Sequence, residues 1–217
     1  MKEGAVKKGE MKKEELAVRK FSGDELVVAT HNKGKLAELR GLFGDKVKKL
    51  SAASDYGVEA PEETGTTFLE NALIKAQAVA KATGKPALAD DSGLCVDALD
   101  GAPGVYSADW AEQPGQPRDF TLAMNKVNTL LKGSADKKAH FVSCLVLAWP
   151  DGHYEVVEGK AHGAITWPPR GTNGFGYDPF FVPDGDNRTY GEMSGDEKNA
   201  TNHRAVAFKK MLAKCFS

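Results

Sequence analysis

Residues 87–93, with the sequence Ala-Leu-Ala-Asp-Asp-Ser-Gly, constrain the fold of this chain more than any other stretch. The apolar run 87–89 predicts a short buried strand, and the serine and glycine after the carboxylates predict its end. Asp90 and Asp91 are therefore expected at the C-terminal end of a strand. Because neighbouring side chains of an extended segment point in opposite directions, the two carboxylates should have different roles. One can hold a hard cation or deprotonate water, whereas an Asx turn is the alternative explanation of the pair.

The hydrophobic periodicity of the whole chain predicts an α/β protein with a mixed sheet. Alternating or β-branched runs predict strands, and apolar residues at helical spacing predict helices. Two capping boxes, Thr67 with Glu70 and Ser194 with Glu197, mark helix starts. The order of the elements is not a pure βαβ repeat. The predicted elements are a strand at 25–30, a helix at 36–43, a helix from 67 to Gly84, strands at 87–89 and 94–99, a helix at 118–132, a hairpin over 140–158 and a last helix from 194.

The composition is that of an ordinary globular protein with no bulk charge. The chain has 217 residues, enough for one domain or two small lobes, and its net charge of −1 gives no general attraction to nucleic acid or anionic membranes. Its longest apolar stretch, 141–149, is too short to span a membrane. Cys95, Cys144 and Cys215 are dispersed, which is typical of a reducing compartment. We therefore expect a cytoplasmic protein with no nucleic-acid or membrane partner.

The first 22 residues differ from the rest of the chain. Lysine and glutamate alternate there without the apolar core of a signal peptide, and the glutamates argue against a transit peptide. We therefore expect a disordered extension over residues 1–22, followed by one domain over residues 23–217.

A polar turn joins the first predicted strand to the first predicted helix. Unpaired N–H groups and the positive end of a helix dipole favour phosphate at such a turn. The turn is not a Walker A loop, because Leu36 stands where that loop needs Ser or Thr after Gly-Lys. Simple helix capping is the alternative explanation. The turn consists of Thr30, His31, Asn32, Lys33, Gly34 and Lys35.

Two later segments carry aromatic and cationic residues. A glycine-rich loop contains Phe175 and Tyr177, which can lie against a flat ring or pack into the core behind a tight turn. The last helix carries Lys198, His203 and Arg204 on its first turns, and there a solvated face is the alternative explanation.

Seven short motifs occur in register between residue 25 and about residue 213. They are Thr-His-Asn-Lys-Gly-Lys at 30–35, Glu-Glu-Thr-Gly at 62–65, Glu-Asn-Ala-Leu-Ile-Lys-Ala at 70–76, Ala-Asp-Asp-Ser-Gly at 89–93, Gly-Ala-Pro-Gly at 101–104, Phe-Gly-Tyr-Asp at 175–178, and Lys198 with His203-Arg204. Together they resemble the inosine triphosphate pyrophosphatase (Ham1-like) family. That resemblance implies an elongated mixed β-sheet with flanking helices in two lobes around a central cleft. It also implies a homodimer that uses Mg²⁺ to hydrolyse noncanonical purine nucleoside triphosphates (ITP, dITP, XTP) to the monophosphate and pyrophosphate.

The resemblance further implies a role for each matching residue. Asp91 would be the general base and a Mg²⁺ ligand, and Glu63 would complete the metal site. Without the resemblance, Glu63 and Lys75 would be interpreted as surface charges. His31 departs from the family pattern, which more often has Gly or Ser at that position. The residues implied to bind substrate are Thr30, His31, Asn32, Lys33, Gly34, Lys35 and Lys75 at the phosphates, Ser92 at the nucleotide, and Phe175, Gly176, Tyr177, Asp178, Lys198, His203 and Arg204 at the purine.

Substrate charge and base chemistry suggest how such a site would work. Lysines and Mg²⁺ would neutralise the triphosphate, so that water can attack the α-phosphorus while a carboxylate takes its proton. Lys198 or Arg204 would donate to a keto oxygen at purine C6 and reject adenine, whose amino group donates. Two alternatives remain open, a nucleotide-binding regulator without turnover and a pyrophosphatase for other nucleotides, as in the related Maf family.

Overall fold

One six-stranded mixed sheet organises residues 17–217, which are the residues that the computed structural model describes. The strand order is β2-β1-β3-β4-β5-β6; β1 is parallel to β2 and to β3, and the remaining pairs are antiparallel. The strands are β1 (Glu25–Val28), β2 (Lys49–Ala52), β3 (Ala87–Val96), β4 (Lys138–Ala148), β5 (Tyr154–Ile165) and β6 (Phe181–Pro183). The α-helices are α1 (Lys33–Phe43), α2 (Phe68–Thr83), α3 (Phe120–Leu130), α4 (Gly195–Thr201) and α5 (His203–Cys215). The predicted α/β class with a mixed sheet is confirmed. None of these helices combines the length and the apolar character that a membrane crossing requires.

Strand β3 is longer than the sequence predicts. The prediction that Ser92 and Gly93 end it is wrong, because its whole length pairs with β4, from Ala87 opposite Ala148 to Val96 opposite Ala139. A Cβ atom at Gly93 would lie 2.2 Å from the carbonyl oxygen of Gly104, so only glycine allows that turn to pack on the strand. The segments predicted as two strands are therefore one continuous element.

The two aspartates of β3 lie in the middle of that strand and not at its end. On one side, β1 is paired with β3 only as far as Leu88, after which the chain turns away. The backbone beyond Leu88 therefore borders an open space next to the sheet. This arrangement places Asp90 and Asp91 at the floor of a cleft, because the neighbouring parallel strand has ended.

Alternation along β3 sends the two carboxylates to opposite faces of the sheet. Leu88 belongs to an apolar cluster under α1 and α5, whereas Ala87 and Ala89 belong to a cluster under α2. Asp90 continues the face of Leu88, and Asp91 continues the face of Ala89. Helix α5 can approach closely because Gly159 of β5 lies against its backbone, where a Cβ would be 2.3 Å from the amide nitrogen of Ala207. The different surroundings of the two aspartates follow from this packing.

A third apolar cluster builds the second lobe. It gathers α3, the far ends of β3 and β4, and the short strand β6. Its largest fully buried side chains are Phe180, Phe181 and Tyr190. The cleft lies between this lobe and the first one, which α1, α2 and α5 cover.

The last helical segment is two helices and not the single helix that the sequence predicts. Ser194 and Glu197 form the predicted capping box, but at the start of α4 only. Asn202 then adopts an extended conformation and caps α5 by accepting a hydrogen bond from the amide of Ala205. The chain breaks there because Asn202 is a better helix cap than a helix-interior residue.

Most of the predicted extension over 1–22 lies outside the described residues. Its end contacts the body: the amide of Arg19 donates to Glu155 at 2.9 Å, and the amide of Phe21 donates to the carbonyl of Cys215 at 2.7 Å. The ring of Phe21 stacks on Phe216, with centroids 4.9 Å apart. Residues 19–21 therefore pack against the body, whereas the predicted domain begins at residue 23.

Replacing Phe21 with alanine is expected to lower the free energy of unfolding by about 1–2 kcal/mol, because the half-buried ring loses apolar contact with the C-terminal helix. Urea denaturation would measure the change. Val18→Ala is the control, since Val18 is 45% exposed and should leave the unfolding midpoint unchanged. Equal stabilities of Phe21→Ala and the wild type would show that the segment does not support the body.

Candidate active site

A cleft of about 670 Å³ runs between the two lobes. Most of the predicted site residues line it, but Lys33 is exposed to solvent and is not among the lining residues. Gly34 is not among the lining residues either; it packs against Phe175, where a Cβ on Gly34 would be 2.7 Å from the ring. The predicted residues that line the cleft are Thr30, His31, Asn32, Lys35, Glu63, Lys75, Asp91, Ser92, Phe175, Gly176, Tyr177, Asp178, Lys198, His203 and Arg204.

The polar turn before α1 is held by its own side chains. Asn32 caps the helix, and its Oδ1 accepts hydrogen bonds from the amides of Gly34 at 2.9 Å and Lys35 at 3.1 Å. Thr30 Oγ1 accepts from the amide of Asn32 at 3.2 Å. His31 Nε2 lies 3.2 Å from the carbonyl oxygen of Val58. The helix-capping explanation is therefore correct for Asn32, and the same cap aims the helix N-terminus at the cleft.

Asp90 is the buried anchor of the site. Its carboxylate lies 2.9 Å from Lys35 Nζ and 3.0 Å from Arg204 Nη2, and it accepts hydrogen bonds from Ser143 at 2.5 Å and Ser92 at 3.0 Å. Burial alone would raise the pKa of Asp90, but the charges of Arg204 and Lys35 outweigh burial and hold that pKa well below its usual range. Asp90 therefore stays ionised and joins α1, α5 and β4 to β3.

Asp91 has a different environment on the opposite face. Its Oδ1 lies 2.8 Å from Lys75 Nζ, and the same ammonium lies 2.9 Å from Glu63. Its Oδ2 is buried and has no hydrogen-bond partner among the described residues. Burial raises the pKa of Asp91 to about 6, although Lys75 and Lys35 oppose part of that rise. A carboxylate with one unpartnered oxygen and a pKa near neutrality can accept a proton from water.

Asp91 and Glu63 are also the groups placed to share a cation. Both contact one ammonium, that of Lys75, so their carboxylates are adjacent. Within residues 17–217 no cluster of three or more His, Cys, Asp or Glu side chains is placed to hold a metal ion alone. A cation here would have to complete its coordination with water and ligand oxygens.

The opposite end of the cleft is built around Phe175 and Lys198. The ammonium of Lys198 lies 4.5 Å from the centroid of the half-exposed Phe175 ring. It also contacts Asp178 at 2.6 Å and Glu38 at 2.8 Å. Burial raises the pKa of Asp178, while Lys198 and the amide of Phe175 oppose the rise. Tyr177 is a core residue, because its buried hydroxyl donates to the carbonyl of Ser107. Of the two aromatic residues predicted to lie against a flat ring, Phe175 is thus the one available.

His203 and Arg204 are fully enclosed at the start of α5. Arg204 contacts Glu38, Asp90 and Ser92, and its buried Nε has no partner in the described structure. The imidazole of His203 stacks on Phe141 with centroids 4.8 Å apart. Burial and the charge of Arg204 lower the pKa of His203 well below its usual range, so the ring is neutral. The solvated-face explanation of these residues is therefore wrong.

Sequence reasoning missed two residues that organise the site. Glu38 joins Lys198 to Arg204, and it lies three residues after Lys35 on the same face of α1. Ser143 holds Asp90 and interrupts an otherwise apolar strand. Two sequence signals could have found them. For Glu38 the signal is a carboxylate at helical spacing from Lys35, and for Ser143 it is a hydroxyl inside a buried strand.

Lysines beside carboxylates, a helix N-terminus and an aromatic ring meet in one cleft of an α/β protein, an arrangement suited to a phosphorylated ligand with a flat ring. The chain belongs to the Ham1 family, whose model matches residues 26–214. The family expected from the seven motifs is thus confirmed.

Two similar proteins and one solved structure each align with most of this chain and with nearly all of their own length. A dITP/XTP pyrophosphatase of Rhodospirillum centenum is 53% identical over 204 residues, which span 93% of this chain and 99% of that protein. A dITP/XTP pyrophosphatase of Agrobacterium fabrum is 54% identical over 211 residues, which span 91% and 99%. The structure of a HAM1 protein from Coxiella burnetii superposes with a TM-score of 0.79 at 39% identity, covering 87% of this chain and 96% of that one.

Proposed function

We propose that this chain is a dITP/XTP pyrophosphatase, which hydrolyses dITP, XTP and ITP to the nucleoside monophosphate and pyrophosphate. The observation that carries the proposal is the buried carboxylate of Asp91 in the lining of the cleft: its Oδ2 has no hydrogen-bond partner among the described residues, and the half-exposed ring of Phe175 lines the same cleft. Relatives that are more than half identical to this chain carry that name. A binding protein without turnover has no use for a poised carboxylate.

The proposed reaction follows from the arrangement of charge. Asp91 takes a proton from a water molecule through Oδ2 while Lys75 holds Oδ1, so the carboxylate keeps one orientation. The water attacks the α-phosphorus, and pyrophosphate leaves with the electron pair of the broken bond. The N-terminus of α1 and Lys35 face the phosphates from the first lobe and offset their charge.

Mg²⁺ fits the same place. Glu63 and Asp91 supply two adjacent carboxylates, and Mg²⁺ in proteins commonly takes one or two carboxylates, with water and substrate phosphates completing its shell. We propose that these two residues hold it. When bound, the ion neutralises phosphate charge and polarises the phosphoryl group.

Base selection is proposed to reside at the other end of the cleft. Phe175 would stack on the purine, and the buried Lys198 and Arg204 would present N–H donors towards the C6 keto oxygen. Their ion pairs with Glu38 fix both side chains, so they cannot turn away from a wrong base. Adenine would place its amino donors against these donors and leave them unpaired in a buried site.

Two wider expectations accompany this function. All three cysteines are free and buried, which supports a cytoplasmic nucleotide pool as the place of action. A homodimer is proposed from the family resemblance, and sedimentation equilibrium of the purified chain would measure it.

The acid limb of the pH profile should report Asp91. A general base must be deprotonated, and burial raises the pKa of Asp91 to about 6. We therefore expect kcat/KM for dITP to be flat above that pH and to fall about tenfold per pH unit below it. Profiles at limiting and at saturating Mg²⁺ test this expectation: the fall should begin near that pH at limiting Mg²⁺ and at lower pH at saturating Mg²⁺, because a bound cation favours the ionised carboxylate. An acid limb that does not move with Mg²⁺ would contradict it.

A substrate panel tests the proposed function as a whole. Pyrophosphate release from dITP, XTP, ITP, dATP, dGTP and dUTP would be measured with Mg²⁺. Fast release from the first three and slow release from the others is expected. Tight binding without release would favour the regulator, and preference for dUTP would favour a Maf-like enzyme.

A further inference from the structure

Arg118 differs from the other cations of the cleft. It lies in the loop before α3, and its Nε and Nη2 donate to Glu112 Oε1 at 3.1 and 2.6 Å. Both side chains are about half exposed, at 51% and 53%. An exposed ion pair contributes little to stability, so the guanidinium can leave Glu112 with little loss. Both residues line the cleft.

The remaining cations of the cleft are already matched by carboxylates. Among the residues that the structure describes, four other Lys or Arg side chains line the cleft, and they contact five carboxylates. Their positive charge is therefore offset before any substrate enters. A triphosphate brings several further negative charges, which need a cation whose existing ion pair is weak enough to be exchanged. The four cations are Lys35, Lys75, Lys198 and Arg204, and the carboxylates are Glu38, Glu63, Asp90, Asp91 and Asp178.

The segment that carries Arg118 is held at both ends. The backbone amide of the next residue, Asp119, donates to the carbonyl of Ala111 at 2.7 Å. The side chain of Asp119 caps α3 by accepting a hydrogen bond from the amide of Thr121 at 2.8 Å. Between these anchors the chain turns at Gly115, whose φ is +70°. The side chain of Arg118 thus starts from a fixed point on the second lobe, across the cleft from the lysines of the first lobe.

Asp109, Glu112 and Arg118 line the same cleft as Glu63. Burial raises the pKa of Asp109, the charges of Glu112 and Glu63 raise it further, and Arg118 lowers it. Glu63, the partner of Lys75, is therefore within electrostatic reach of the loop that carries Arg118.

We propose that Arg118 is a substrate-binding residue that exchanges Glu112 for the pyrophosphate portion of the bound triphosphate. This inference rests on the proposed function and adds a contact from the second lobe. A guanidinium suits the role because its planar fork can donate two parallel hydrogen bonds to phosphate oxygens. The same contact would stabilise the leaving group as its charge develops.

Binding of inorganic pyrophosphate with Mg²⁺, measured by calorimetry, tests the proposal. Arg118→Ala should weaken this binding about tenfold or more and raise KM for dITP, with an unchanged unfolding midpoint. Glu112→Gln should bind pyrophosphate at least as tightly as the wild type, since the competing carboxylate is removed. The matched control is Arg188→Ala, because Arg188 forms a similarly exposed ion pair with Asp186 and Glu197.

Unchanged pyrophosphate affinity in Arg118→Ala would overturn the proposal, as would an equal loss in Arg188→Ala. Altered preference between dITP and dATP with unaltered pyrophosphate binding would also overturn it, because Arg118 would then contact the base. If the wild type releases no pyrophosphate from dITP, the proposed function fails. The calorimetry still decides whether Arg118 binds pyrophosphate.

Discussion

Asp91→Asn is expected to fold normally and to turn substrate over about 10²–10⁴-fold more slowly than the wild type. The amide cannot take a proton from water, and it lacks the charge that a cation between it and Glu63 requires. Stability should be retained, since Asp91 is buried in a setting that disfavours its ionised form. The asparagine oxygen can still accept a hydrogen bond from Lys75. Steady-state kinetics on dITP, together with urea unfolding, measures both quantities.

The neighbouring aspartate supplies the control for this prediction. Asp90→Asn should lower the free energy of unfolding, because Lys35 and Arg204 both lose the charge of their buried partner. Any folded fraction should keep the acid limb of the pH profile. Near-full activity in Asp91→Asn with none in folded Asp90→Asn would mean that the two roles are assigned the wrong way round.

Arg204→Ala is expected to destabilise the protein by about 3–5 kcal/mol, because it removes one partner of a buried ion-pair network. The substitution leaves Asp90 and Glu38 enclosed with less opposing charge. Among the residues that the structure describes, Lys35 and Lys198 then remain as their cationic partners. The unfolding free energy, from urea denaturation followed by tryptophan fluorescence, measures the loss.

A second arginine shows how much of that loss comes from burial. Arg188 has two carboxylate partners at similar distances, but its side chain is 44% exposed. Arg188→Ala should therefore change the unfolding free energy by less than about 1 kcal/mol. A similarly small effect for Arg204→Ala would show that the buried network does not hold α1, α5 and β3 together.

The elements that local signals determine could be predicted from the sequence. Thr67 accepts from the amide of Glu70, and Ser194 does the same for Glu197, because each capping box needs residues only three positions apart. The length of β3 could not be predicted this way. Ser92 and Gly93 are poor strand residues, and their extended state depends on β4, about 50 positions later, and on a turn that requires a residue without a side chain.

The candidate site also has contacts that could be predicted from the sequence and contacts that could not. The resemblance implied one metal site for Asp91 and Glu63 and put Lys75 at the phosphates; in the structure, Lys75 contacts both carboxylates. The ion pairs of Arg204 were out of reach, since Glu38 is separated from it by 166 positions. Spacing along a helix indicates which residues share a face, but it carries no information about a partner on another helix.

The position of water attack tests the central claim most directly. The claim is that Asp91 directs water to the α-phosphorus, with pyrophosphate as the leaving group. Hydrolysis of dITP in water enriched in oxygen-18, followed by mass spectrometry of both products, locates the new oxygen. Label in the deoxyinosine monophosphate and none in the pyrophosphate is the predicted result. Label in the pyrophosphate, or release of orthophosphate with deoxyinosine diphosphate, would contradict it.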